Sequence, residues 1–70
     1  MASKGSLAFD RVLTRIGSER EVARMVGVSP GAVNHWRKGK RRPGVVTAER
    51  IRRLWGIAPT DWYAPVEVAA

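Results

Sequence analysis

Asn34 and His35 stand side by side in the segment GVSPGAVNHW, with Gly31 three residues before and Lys38 four residues after the asparagine. At 100° per residue these positions share one side of a helix, while Val33 and Trp36 share the other. Asparagine is a poor residue for the middle of a helix and has no structural task on an exposed face. What the set can do chemically is recognise hydrogen-bonding partners. An amide offers a donor and an acceptor together, a neutral imidazole one of each, and an ammonium three donors. Catalysis is excluded on composition. There is no cysteine, His35 is the one histidine, and six carboxylates are scattered along 70 residues. No nucleophile and base, and no set of metal ligands, stand at workable spacing. Neither an enzyme nor a metal or other cofactor is expected.

Charge indicates what the recognition face meets. Of thirteen basic side chains, eight fall between residues 37 and 53: Arg37, Lys38, Lys40, Arg41, Arg42, Arg50, Arg52 and Arg53. Glu49 is the sole acid among them, so this quarter of the chain carries a net +7, equal to the formal net charge of the whole. A field concentrated in this way, immediately after the polar face, attracts a polyanion. The groove of duplex DNA is such a partner. Asparagine can pair bidentately with adenine there, and lysine or arginine with guanine. No run nears the roughly 18 apolar residues of a membrane span, and MASKGSLAF has no signal-peptide core, so a soluble cytoplasmic protein is expected.

The elements that must hold these residues are all helical. In SLAFDRVLTRIG, Phe9, Val12, Leu13 and Ile16 form one apolar face, with Ser6 as cap and Gly17 as stop. In SEREVARMVG, Ser18 and Glu21 have capping-box spacing, Val22, Ala23 and Val26 face inward, and Gly27 closes the helix. Ser29 caps the third helix with Pro30 at its first position, and that helix stops near Gly39. GKRRPGVV is a loop turning at Pro43-Gly44. A fourth helix runs from a Thr47 cap to Gly56, with Ile51, Leu54 and Trp55 inward, and one further turn covers Thr60 to Tyr63. Trp36 and Trp55 belong to the core. Trp62 and Tyr63 are open between the core and a subunit contact. Glu49 and Arg53 can pair at i, i+4.

Two short helices joined by a tight glycine turn have the sequence form of a helix-turn-helix. The crossing needs a small residue, which Ala23 supplies, and the reversal needs a positive φ, which Gly27 supplies. Val22, Val26, Val28, Val33 and Trp36 fill the apolar anchors. GSEREVARMVGVSPGAVNHW resembles the helix-turn-helix of the phage Cro and CI repressors over about residues 17–38, and the flanking helices extend the likeness to about residue 56. With Trp36-Arg37-Lys38-Gly39 after it, the chain is similar to small Cro-like regulators and YdaS-type antitoxin-like proteins of prophages.

The resemblance implies an all-α, lambda-repressor-like fold of four helices and a short C-terminal turn, one domain over residues 1–70 with its core at about 6–64. It implies a sequence-specific regulator of transcription, a repressor in the usual case, whose third helix enters the major groove. Ser29, Gly31, Asn34, His35 and Lys38 are the base-reading set. Many relatives carry a long polar side chain where this chain has Pro30-Gly31, which shifts readout towards Asn34, His35 and Lys38. Ser18 and Arg20 at the start of the second helix, with Arg37, Lys40, Arg41 and Arg42, are the phosphate set. The partner is double-stranded DNA with a pseudo-palindromic operator, bound by a homodimer at least on DNA. The alternative is an antitoxin-like or polymerase-binding interaction module, which would show Trp62 and Tyr63 exposed.

Overall fold

The computed structural model describes residues 3–66. Four α-helices run in the order α1 (Lys4–Ile16), α2 (Glu19–Val26), α3 (Pro30–Arg37) and α4 (Val45–Trp55), followed by a 3-10 turn at Pro59–Trp62. Among the described residues the extended pairing is one isolated antiparallel bridge, Ser3 to Pro65. Lys4 N–H also donates to Ala64 O at 2.8 Å there. The fold is therefore all-α, as the periodicity predicts.

The core is built around Phe9, which is fully buried. The rings of Trp36, Trp55 and Trp62 lie 5.9, 6.1 and 5.6 Å from its own, each tilted or edge-on. These are the offset geometries that aromatic quadrupoles favour. Val12, Leu13, Val22, Ala23, Val26, Val33, Ala48, Ile51 and Ile57 complete the cluster, with Ile16, Val28 and Trp55 partly covered against it. Trp62 is 1% exposed and Tyr63 67% exposed, which separates the two residues the sequence left open together. Trp62 is core and is not available as a subunit contact.

Three expectations need correction. Helix α1 begins before Ser6. Ser3 is its cap, Ser3 Oγ accepts from Ser6 N–H at 3.0 Å, and Ser6 Oγ accepts from Ser3 N–H at 2.7 Å. Ser6 is the far half of a capping box and is itself buried. Helix α4 likewise begins before Thr47, with Gly44 as a cap that contributes no side-chain bond. Leu54 is 41% exposed. Taking Ile51 as origin, Trp55 and Ala48 lie about 40° and 60° to one side, and Leu54 about 60° to the other. The buried stripe of α4 runs through the first three.

Candidate nucleic-acid interface

Helices α2 and α3 pack through the small and β-branched residues that the spacing singles out. Ala23 is 1% exposed, and Val22, Val26 and Val33 are buried beside it. The reversal uses Gly27, whose φ of 84° falls in the left-handed region that favours glycine. Gly27 and Val28 N–H both donate to Ala23 O, at 2.8 and 2.9 Å. Arg50 reaches from α4 to donate through Nη1 to Val26 O at 2.7 Å, satisfying an orphan carbonyl at the end of α2. Composition gives no hint of that tie.

Both helices of the pair start on serine. Ser18 Oγ accepts from Glu21 N–H at 3.1 Å, and Ser29 Oγ accepts from Ala32 N–H at 3.2 Å. Each hydroxyl keeps its proton for an outside acceptor. Glu21 does not complete the box expected of it; its carboxylate takes Arg24 Nη2 at 2.6 Å. Helix α3 ends at a Schellman closure. Gly39, at φ 74°, donates to Trp36 O at 3.1 Å, and Lys40 N–H donates to His35 O at 3.0 Å. The closure holds the basic loop against the C-terminal end of α3.

Val33 and Trp36 seat α3 on the core, and the opposite side faces outward. Ser29, Pro30, Gly31, His35 and Lys38 are exposed. Asn34 is half-buried, not fully exposed as its spacing suggests, because its Nδ2 donates to Glu19 Oε2 at 3.2 Å. Arg37, expected on phosphate, has partners inside the protein: Nε donates to Asp10 Oδ1 at 3.0 Å and Nη1 to Glu19 Oε1 at 3.1 Å. Arg42 donates through Nε to Trp62 O at 3.1 Å and lies 4.6 Å over the Tyr63 ring. Arg52 and Arg53 both pair with Glu49, and the hydrogen bond from Arg52 holds the Glu49 carboxyl below its ordinary range. Among the described residues Arg11, Arg15, Arg20, Lys38, Lys40 and Arg41 are cations with neither an ion pair nor a side-chain hydrogen bond, and the last three of these lie at the end of α3.

The geometry thus brings Gly31, Asn34, His35 and Lys38 to one face, with Ser29 exposed as the cap at its start and Lys40 and Arg41 held at its end by backbone bonds. Sequence reasoning misses Glu19 and Asp10, which lie 15 and 27 residues from the α3 side chains they hold. Among the described residues no group of His, Cys, Asp and Glu could hold a metal, and no helix is long and apolar enough to cross a membrane.

The family model described as Helix-turn-helix, of the Cro/C1 type, matches residues 13–62, from the end of α1 through the 3-10 turn. The chain belongs to this helix-turn-helix family of DNA-binding transcription regulators, which is not a family of enzymes. Comparison with curated proteins and with solved structures gives no significant match.

Proposed function

We propose that the protein is a Cro-like repressor of phage or prophage type that acts in the cytoplasm as one helix-turn-helix domain. Two copies bind a pseudo-palindromic operator, each placing α3 in the major groove, with half-site centres about one helical turn apart. Ser29, Asn34, His35 and Lys38 meet base edges, and Gly31 allows close approach. Ser18, Arg20, Lys40 and Arg41 meet phosphates, with Arg37 and Arg42 adding whatever N–H groups their partners within the protein leave over. Occupancy of the site excludes polymerase. The observation that carries this reading is the division of α3, with Val33 and Trp36 buried and its polar side open beside the free cations Lys38, Lys40 and Arg41. The interaction-module alternative needed both Trp62 and Tyr63 at the surface and retains only Tyr63.

The test compares Asn34→Ala with Lys40→Ala on a site selected from random duplexes and on its single-base variants. Asn34→Ala weakens the selected site by about 1–3 kcal/mol and relaxes preference at one base pair. Its fold holds to within about 1 kcal/mol, since one half-exposed hydrogen bond is lost and alanine favours helix. Lys40→Ala weakens every sequence by a similar factor. A uniform loss for Asn34→Ala would make the amide a phosphate clamp and overturn the readout.

A further inference from the structure

Glu19 opens α2, and both oxygens of its carboxylate are occupied. Oε1 accepts from Arg37 Nη1 at 3.1 Å and Oε2 from Asn34 Nδ2 at 3.2 Å. Arg37 is in turn held by Asp10 of α1. The side chains of Asp10, Arg37 and Glu19 are 41%, 37% and 32% exposed, so the network sits at the rim of the α2–α3 pair, half out of solvent. An ionised carboxylate only accepts hydrogen bonds. It therefore admits one of the two orientations of the Asn34 amide, with the NH2 group towards Glu19 and Oδ1 away. The reverse would set oxygen against oxygen.

We propose that Glu19 is a positioning residue that fixes the orientation of the Asn34 amide and thereby selects the base that Asn34 accepts. The inference rests on Asn34 being a base contact. With Nδ2 anchored by one proton, the groups left for DNA are Oδ1 and the second N–H. That acceptor and donor match the N6 amino group and N7 of adenine. Arg37 makes the device sensitive to a single atom. A glutamine at 19 would turn its carbonyl oxygen to the guanidinium and its NH2 to Asn34. The Asn34 amide would then turn over and present donors outward, which suit the acceptors of guanine or thymine and not adenine.

Sites are selected from random duplexes with the unmodified protein, Asn34→Ala, Glu19→Gln, Glu19→Ala and Glu21→Gln, and thermal melting checks each fold. Glu21 pairs with Arg24 on the same helix, so its variant makes the same change of charge without touching Asn34. Asn34→Ala loses preference at one base pair. Glu19→Gln loses the adenine preference at that same pair, from roughly tenfold or more to under about threefold, and keeps the others. Glu19→Ala, which frees the amide to take either orientation, gives a smaller loss at that pair, and Glu21→Gln gives none. Retained adenine preference in both Glu19 variants, while Asn34→Ala loses it, overturns the role of Glu19 alone. An Asn34→Ala variant that loses no position overturns the base contact, and the role of Glu19 with it. A Glu19→Gln loss spread evenly over all positions would make Glu19 a brace for the helix and nothing more.

Discussion

Gly31 lies on the outer face of α3, where a Cβ would come no nearer than 3.9 Å to Ser29 Oγ, and its φ is not left-handed. Nothing in the protein requires a glycine there, yet glycine costs a helix roughly 0.5–1 kcal/mol relative to alanine, with the lower end for a first-turn position such as this. Gly31→Ala therefore raises stability, by about 0.5–1 kcal/mol in thermal or denaturant unfolding. If α3 approaches DNA closely at this point, the same variant weakens binding to every sequence; unchanged affinity would place Gly31 away from the contact. Residues of this kind are legible in a sequence because they act alone or with near neighbours. Ser29 caps the helix it precedes, and Val33 and Trp36 declare their face by spacing. The surroundings of Asn34 are not legible. Its partner Glu19 and the brace from Arg37 to Asp10 exist only once three helices have packed, and such links leave no periodic mark on the chain.

At the scale of elements, α2 and α3 begin and end where expected, although the Ser18–Glu21 box is only half made, because serine caps and left-handed glycines bracket each run or its closing turn. Helices α1 and α4 start earlier than expected for different reasons. The first turn of α1 is specified by what it touches and not by an apolar face of its own. In α1 the buried pair Gly5 and Ser6 slides under the C-terminal segment, where a Cβ on Gly5 would meet Trp62 Cδ2 at 2.7 Å and Trp62 Cα at 2.9 Å. Two small residues read locally as loop, yet here they are the floor of a tertiary contact. Gly5→Ala should force the 3-10 turn off α1 and destabilise the fold by about 1–3 kcal/mol, the usual cost of overpacking. Denaturant unfolding measures this directly; a loss below about 0.5 kcal/mol would mean the turn shifts freely. In α4, Val45 and Val46 are 88% and 75% exposed and the cap is a glycine with no side-chain bond, so neither a buried apolar face nor a capping side chain marks where the helix begins.

For the whole molecule, the net +7 of residues 37–53 overstates the charge left free for a ligand. Arg37, Arg42, Arg50, Arg52 and Arg53 all have partners within the protein, which leaves Lys38, Lys40 and Arg41 at the end of α3. Arg37 and Arg50 tie helices together, Arg42 ties the loop to the 3-10 turn, Arg52 and Arg53 pair within α4, and two lysines and one arginine are left beside the outward face of α3. The salt dependence of DNA binding should follow that division. Replacing both Lys40 and Arg41 with alanine makes the slope of log affinity against log salt shallower by about 1.8, near 0.9 for each phosphate contact. Replacing both Arg52 and Arg53 leaves it almost unchanged. Titrations at several salt concentrations separate the two, and equal effects would show that overall charge governs binding. The arrangement around Phe9 carries a further consequence, for observation by light. All three indoles of the chain stand within 6.1 Å of one phenyl ring, and one of them, Trp36, forms the back of the very helix whose front faces outward. Their emission and near-ultraviolet dichroism arise from a single asymmetric cluster. The protein thus carries an intrinsic chromophore directly behind the outward face of α3, able to register tilting of that helix with no label attached.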